Sequence, residues 1–162
     1  MVHHPEWKRT DIGKFPYCIS NFAELGFILI APTDYRSEAL APLLVFLHGV
    51  GESKRKSASD IKLVLKHGPW NNPDANTFCI LAPQCPHNYI WSTLCEQVTE
   101  LIIHIQQRFP VDPNRCYLTG LSMGAFGIWS LAAHRPHLYA ALIPICGGFP
   151  NGNLPKSTTI HA

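Results

Sequence analysis

Arg115-Cys116-Tyr117-Leu118-Thr119-Gly120-Leu121-Ser122-Met123-Gly124 runs from a β-prone stretch into the pattern G-x-S-x-G and on into helix-prone residues. A serine hydroxyl is a weak nucleophile until a sharp strand-to-helix turn lifts it clear of a sheet and aims it at a base. Glycines two residues to either side permit that turn. The pattern makes Ser122 the candidate nucleophile and places it at the C-terminal end of a strand. An ordinary tight β-to-α turn is the alternative, and the strand and helix signals on both sides weigh against it.

The rest of the chain fits a sheet that offers such an end. Residues 18–22 and 27–31 read as two early strands joined near Gly26, and residues 43–47 form a continuous apolar run of the kind buried on both faces. Residues 76–82, 115–119 and 140–146 supply three more strands. Thr93-x-x-Glu96 reads as a capping box that opens a helix with Leu94, Val98, Leu101, Ile102, Ile105 and Phe109 on one face. A second helix is expected just after Ser122, ending at Arg135 because Pro136 disfavours helical geometry in the residue before it. Strands alternating with helices predict a mostly parallel, doubly wound α/β sheet.

With 162 residues and 46% hydrophobic content, the chain has enough apolar material for one sizeable core and reads as a single domain, residues 1–162. A formal charge of +2 without a charge cluster gives no footprint for nucleic acid or an anionic membrane. Lys54-Arg55-Lys56 is the densest basic spot and reads as a solvated loop. No stretch approaches the ~18 apolar residues of a membrane span, and the N-terminus lacks an apolar signal region, so a soluble, cytoplasmic protein is expected. Cys18, Cys79, Cys85, Cys95, Cys116 and Cys146 show no C-x-x-C spacing, and Cys79, Cys116 and Cys146 fall in runs read as buried strands. Buried free thiols are the expectation, with a Cys85–Cys95 disulfide left open because both flank one loop; no metal site or cofactor is expected.

Acyl transfer needs donors for the oxyanion formed when a serine attacks a carbonyl. The N–H of Met123, on the first turn of the helix after Ser122, is one candidate, because such groups lack helical partners and feel the positive end of the dipole. The N–H of Val50 is the other. His48-Gly49-Val50-Gly51 follows the apolar run 43–47, where a glycine-bearing loop at a strand end is positioned to supply it.

Val111-Asp112-Pro113-Asn114-Arg115 leading into the elbow, with Leu47-His48-Gly49-Val50-Gly51-Glu52 and Ala82-Pro83-Gln84-Cys85-Pro86, resembles the α/β-hydrolase serine esterases. The branch is similar to esterases related to polyhydroxybutyrate depolymerases, feruloyl esterases and prolyl-oligopeptidase-type peptidases. The resemblance runs from about Phe27 to Gly148, and its most specific part is the Asp-Pro-Asn-Arg run. It implies Ser122 as nucleophile, Val50 and Met123 as oxyanion donors, and a small-molecule ester as substrate. His48, Gly49 and Trp91 are implied at the substrate, although a Trp covering the next helix is an equal reading of Trp91. Ala125 stands where this branch commonly has glycine.

The resemblance also implies an acid and then a histidine after the nucleophile, on later strands. All 11 acidic residues precede Ser122, and the chain closes on Thr159-Ile160-His161-Ala162, like the opening of another strand. The expectation is therefore an α/β-hydrolase domain lacking its last strands, with residues 140–146 as an exposed sheet edge that a second copy covers. No histidine present substitutes: His134 falls about 18 Å along the post-elbow helix, at ~1.5 Å per residue. His137 follows that helix, and His161 opens a strand at the far end from the site. His67, His87 and His104 read as solvated. A non-catalytic scaffold and a split enzyme completed by another chain are the alternatives.

Overall fold

The computed structural model describes residues 17–23, 25–32, 40–54 and 58–149. Six strands form one sheet: β1 (Tyr17–Phe22), β2 (Leu25–Ile30), β3 (Ala41–Leu47), β4 (Cys79–Pro83), β5 (Val111–Leu121) and β6 (Ala141–Ile145), in spatial order β1-β2-β4-β3-β5-β6. β3 lies parallel to both β4 and β5, and β5 parallel to β6, while β1 and β2 run antiparallel on the far edge. All six strands expected from the sequence are present. The first hairpin turns at Ala23, which has a φ of 50°, and not at Gly26, which pairs with Asn21 inside the ladder. β4 starts at Cys79 because Pro73–Thr77 winds as a 3-10 turn, with the Asn72 side chain accepting from the Asp74 N–H.

Strand periodicity divides the core in two. Phe27, Leu29, Leu43, Val45, Leu47, Cys79 and Leu81 face α1 (Cys95–Arg108) and α2 (Met123–His134), whose Val98, Leu101, Ile102, Ile105, Ile128 and Leu131 pack against them. The alternate residues Ile28, Ile30, Leu44, Phe46, Ile80 and Ala82 face Ile61 and Val64 of the 3-10 segment Ala58–Lys66, together with Trp70. Leu43, Val45, Leu47 and Leu81 are completely buried, each contributing roughly 1.5 to 3 kcal/mol through burial.

The apolar face expected for α1 is buried throughout, but the capping box is not formed. The Thr93 hydroxyl closes the 3-10 turn Trp91–Thr93 by donating to the Ile90 carbonyl, and Leu94 stands at the N-cap without a side-chain bond. α2 ends at Arg135 as expected, and its last turn is tied to α1 by His134 and Arg135, which lie 2.7 and 3.7 Å from Glu96 carboxylate oxygens. All six cysteines are free thiols. Cys85 donates to the Tyr89 carbonyl and Cys95 to the turn at Trp91 and Ser92, so the disulfide left open does not form. Cys146 is exposed, because β6 is a sheet edge among the described residues and the chain leaves it there with a φ of 56°. The segment 159–162, with His161, lies outside the described residues, as do Arg55 and Lys56.

Candidate active site

β5 ends at Leu121 and α2 begins at Met123, so Ser122 alone makes the corner, with φ 52° and ψ −110°. A left-handed backbone at a non-glycine residue costs about 1 to 3 kcal/mol and persists only where its surroundings impose it. Here they do. The Ser122 N–H donates to the Ile145 carbonyl at 2.9 Å, and its carbonyl accepts the N–H groups of Ala125 and Phe126. The two glycines of the pattern permit the contact: a Cβ on Gly120 would lie 2.6 Å from the Gly124 backbone, and one on Gly124 would lie 1.8 Å from the Leu47 carbonyl oxygen. Backbone therefore meets backbone where α2 starts against the end of β3. Ala125, in place of the glycine common in the resembling branch, is buried against Gly147 without disturbing this contact.

β3 delivers the second element. Beyond Leu47 the chain passes His48 and Gly49 into a 3-10 turn, Val50–Glu52. Gly49 lies against the elbow, its Cβ position 3.6 Å from the Leu121 carbonyl and 3.9 Å from Ser122 Cβ. Its φ of −77° is open to any residue, so here glycine serves proximity and not a special backbone shape. Val50 is the first residue of its turn and Met123 the first of α2, the position whose N–H has no partner within the helix. Val50 is 73% exposed.

His48, expected at the substrate, is 1% exposed, with its ring turned into the fold. Nε2 accepts the Cys85 N–H at 2.9 Å and Nδ1 lies 2.6 Å from the Gly49 carbonyl. An amide N–H can only donate and a carbonyl only accept, so the ring is neutral with its proton on Nδ1. Burial holds its pKa below the ordinary imidazole value, against the raising effects of the Gly49 carbonyl and the Glu52 carboxylate. Trp91 packs against α2, not against α1, the helix that follows it. Its indole N–H donates to the His48 carbonyl at 2.9 Å and its ring rests on α2 at Gly127, while the same residue floors a cleft beside Ser122. That cleft, about 330 Å³, is walled by Ile90, Met123 and Phe126, and among the described residues no charged side chain lines it. Ile90 and Phe126 are exposed there.

Among the described residues the Ser122 hydroxyl has no hydrogen-bond partner, and no histidine is placed as its base. His67 approaches the Glu52 carboxylate at 3.9 Å, His104 stacks on Phe22, and His134 pairs with Glu96 at the opposite end of α2. No group of three His, Cys, Asp or Glu side chains is placed to hold a metal among the described residues, and no described helix is long and apolar enough to cross a membrane. Sequence reasoning missed Glu52 and Gln84, polar residues of loops that are 6% and 3% exposed. The Asp-Pro-Asn-Arg run lies away from the site, at the start of β5. There Asp112 accepts from the Asn114 N–H and the Arg115 guanidinium, which also reaches the Leu40 carbonyl.

Comparison with known proteins bears on the fold. No family model matches the chain. Over 51 residues it is 37% identical to poly(3-hydroxyalkanoate) depolymerase C of Paucimonas lemoignei, covering 32% of this chain and 12% of that protein. A thermostable esterase superposes with a TM-score of 0.69 at 32% identity, over 86% of this chain and 42% of the esterase. An S-formylglutathione hydrolase from Staphylococcus aureus superposes with a TM-score of 0.67 at 16% identity, over 91% of this chain and 63% of the hydrolase, a likeness of fold. The chain thus spans less than half of the esterase and less than two thirds of the hydrolase. Its fold is the α/β-hydrolase fold, and the structures it resembles are esterases and serine hydrolases of that type.

Proposed function

We propose that this chain carries the nucleophile and the oxyanion hole of a serine hydrolase acting on carboxylic esters. The observation that carries the reading is the left-handed Ser122 at the β5–α2 corner, with the Val50 turn against it. Ser122 Oγ attacks the ester carbonyl carbon and its proton passes to a base. The carbonyl oxygen becomes an oxyanion held by the Val50 and Met123 N–H groups. The alcohol then leaves with that proton, and water hydrolyses the acyl-enzyme. The uncharged, apolar cleft of Ile90, Trp91 and Phe126 supports a substrate with an apolar group next to the ester. Six free thiols, with burial pushing Cys79, Cys85 and Cys116 up to about 12, support a reducing, cytoplasmic setting.

The acid and the histidine come, on this reading, from outside the described residues. A split enzyme completed by another chain is the second reading, favoured by the exposed Ile143 and Ile145 of β6, an apolar edge on the Ser122 side that another chain fits. Without a base, triad hydrolases lose roughly 10⁶-fold in kcat and keep only the ~10³ to 10⁴ over water that oxyanion binding supplies. Stopped-flow assay of the 162-residue chain with an activated aryl ester is therefore expected to show very slow turnover that Ser122→Ala removes. Turnover untouched by Ser122→Ala overturns the nucleophile assignment, and fast Ser122-dependent turnover overturns the absence of a base.

A further inference from the structure

The 3-10 turn that presents Val50 is poorly held by its own bonds. Its two internal hydrogen bonds, Glu52 N–H to the Gly49 carbonyl and Ser53 N–H to the Val50 carbonyl, are both 3.4 Å long, beyond the usual 2.7 to 3.2 Å range. The bonds reaching it and its flanks from outside are shorter; apart from the Trp91 indole on the His48 carbonyl, those described here come from one place, the two residues that follow β4.

Gln84, buried on a loop where a polar side chain is ordinarily solvated, sends its carboxamide nitrogen to two carbonyls: Glu52 at 2.9 Å and Asp60 at 2.7 Å. A carboxamide has two N–H bonds, so both are used. Cys85 then donates its backbone N–H to His48 Nε2 at 2.9 Å and accepts the Lys54 N–H at 2.9 Å. The anchor itself does not drift, because the Gln84 N–H donates to the Gly26 carbonyl of β2 at 2.8 Å. His48 on one side of the turn, and Glu52 and Lys54 on the other, are thereby tied to a single strand end, with Val50 between them.

We propose that Gln84 is a positioning residue, and that with the Cys85 backbone it forms a strap that aims the Val50 N–H at the oxyanion. The inference rests on the reading of Ser122 as nucleophile and Val50 as donor. Gln84 touches neither cleft nor substrate. It acts by fixing two carbonyls around a turn too weak to fix itself, in the way that outer groups orient reacting ones elsewhere.

The test is Gln84→Met, which keeps the side-chain length and removes both donors. Two measurements are made: amide hydrogen exchange across residues 43–54, and reaction with a fluorophosphonate followed by intact mass over long exposure in mildly alkaline buffer. In that reaction a Ser122 Oγ–P bond forms, the P–F bond breaks, fluoride leaves, and the hydroxyl proton goes to solvent hydroxide. The Glu52 and Ser53 amides are expected to exchange about tenfold faster, with the β3 amides of Leu43 to Leu47 unchanged, and kinact to fall about tenfold with the reversible binding constant unaltered, the loss of roughly one hydrogen bond. Equal acceleration in β3 and the turn, an unchanged turn, or a shift in the binding constant alone overturns the proposal. If Gln84→Met does not fold, Gln84→Asn, one methylene too short to reach both carbonyls, carries the same expectations. If the unmodified chain takes no label at Ser122, the nucleophile reading falls, and the exchange data still decide the strap.

Discussion

On the β3 side of Ser122, the strand leading to the Val50 turn buries Leu43, Val45 and Leu47 completely, and the loop beyond it is tied down by His48, Gln84 and Trp91. On the other side β6 alternates exposed and half-buried residues, with Ile143 51% and Ile145 44% exposed. Both strands are parallel neighbours of β5; β3 shifts register between Ala41 and Leu43, but from Leu43 to Leu47 its ladder is as regular as that of β6, so pairing beside the corner does not separate them. Side-chain packing does. On the proposed reading, the fixed N–H donors reside where the fold is closed, and the flank left open has no base among the described residues.

The sharpest break in that comparison is Gly124→Ala. An added Cβ 1.8 Å from the Leu47 carbonyl has backbone on both sides and no side chain to push away. The change is expected to cost roughly 3 to 5 kcal/mol by chemical denaturation and to displace the elbow from the Val50 turn. Next come paired truncations of interior and edge. Leu81→Ala, at a fully buried β4 position, is expected to cost about 2 to 5 kcal/mol, whereas Ile143→Ala on β6 stays within about 0.5 kcal/mol. Equal costs would mean that β6 is covered in solution.

A pH titration sharpens the closed side. The folded pKa of His48 lies below its ordinary value, so the unfolded chain takes up a proton that the native ring refuses. The His48 contribution to stability is therefore full above the ordinary imidazole pKa and falls as pH drops from there toward the lowered native value. Protonation would also set an Nε2–H against the Cys85 N–H. His48→Gln should flatten that part of the stability profile, and an unchanged profile would show that another group titrates there. The smallest effect belongs to the edge: Ile143→Lys with Ile145→Lys should leave the denaturation midpoint almost unchanged while reducing self-association in light scattering.

Ser122 and β3 were legible because each rests on a local rule. A run buried on both faces is apolar at every position, and a corner at a serine requires small neighbours. The segment 58–66 was not legible as an element, because only Ile61 and Val64 mark its buried side and 3-10 spacing gives no long repeat. The Thr93 capping box failed because α1 starts two residues later, at Cys95 with Leu94 at its N-cap, which leaves Thr93 in the preceding 3-10 turn, where its hydroxyl donates to the Ile90 carbonyl. His48 was placed at the substrate by resemblance; that its ring turns inward depends on Cys85, 37 residues away. Gln84 stood in a stretch that carries the resemblance but without a role, for the same reason: its two carbonyl partners are brought together only by the folded chain.

The positive φ of Ser122 has an energetic corollary. Glycine occupies that region of backbone space without steric penalty, so Ser122→Gly should make the fold more stable by about 1 kcal/mol while deleting the hydroxyl. A chain optimised for endurance alone would carry glycine at that corner; on the proposed reading the serine is a standing concession of stability to reactivity, measurable as the difference between two melting curves.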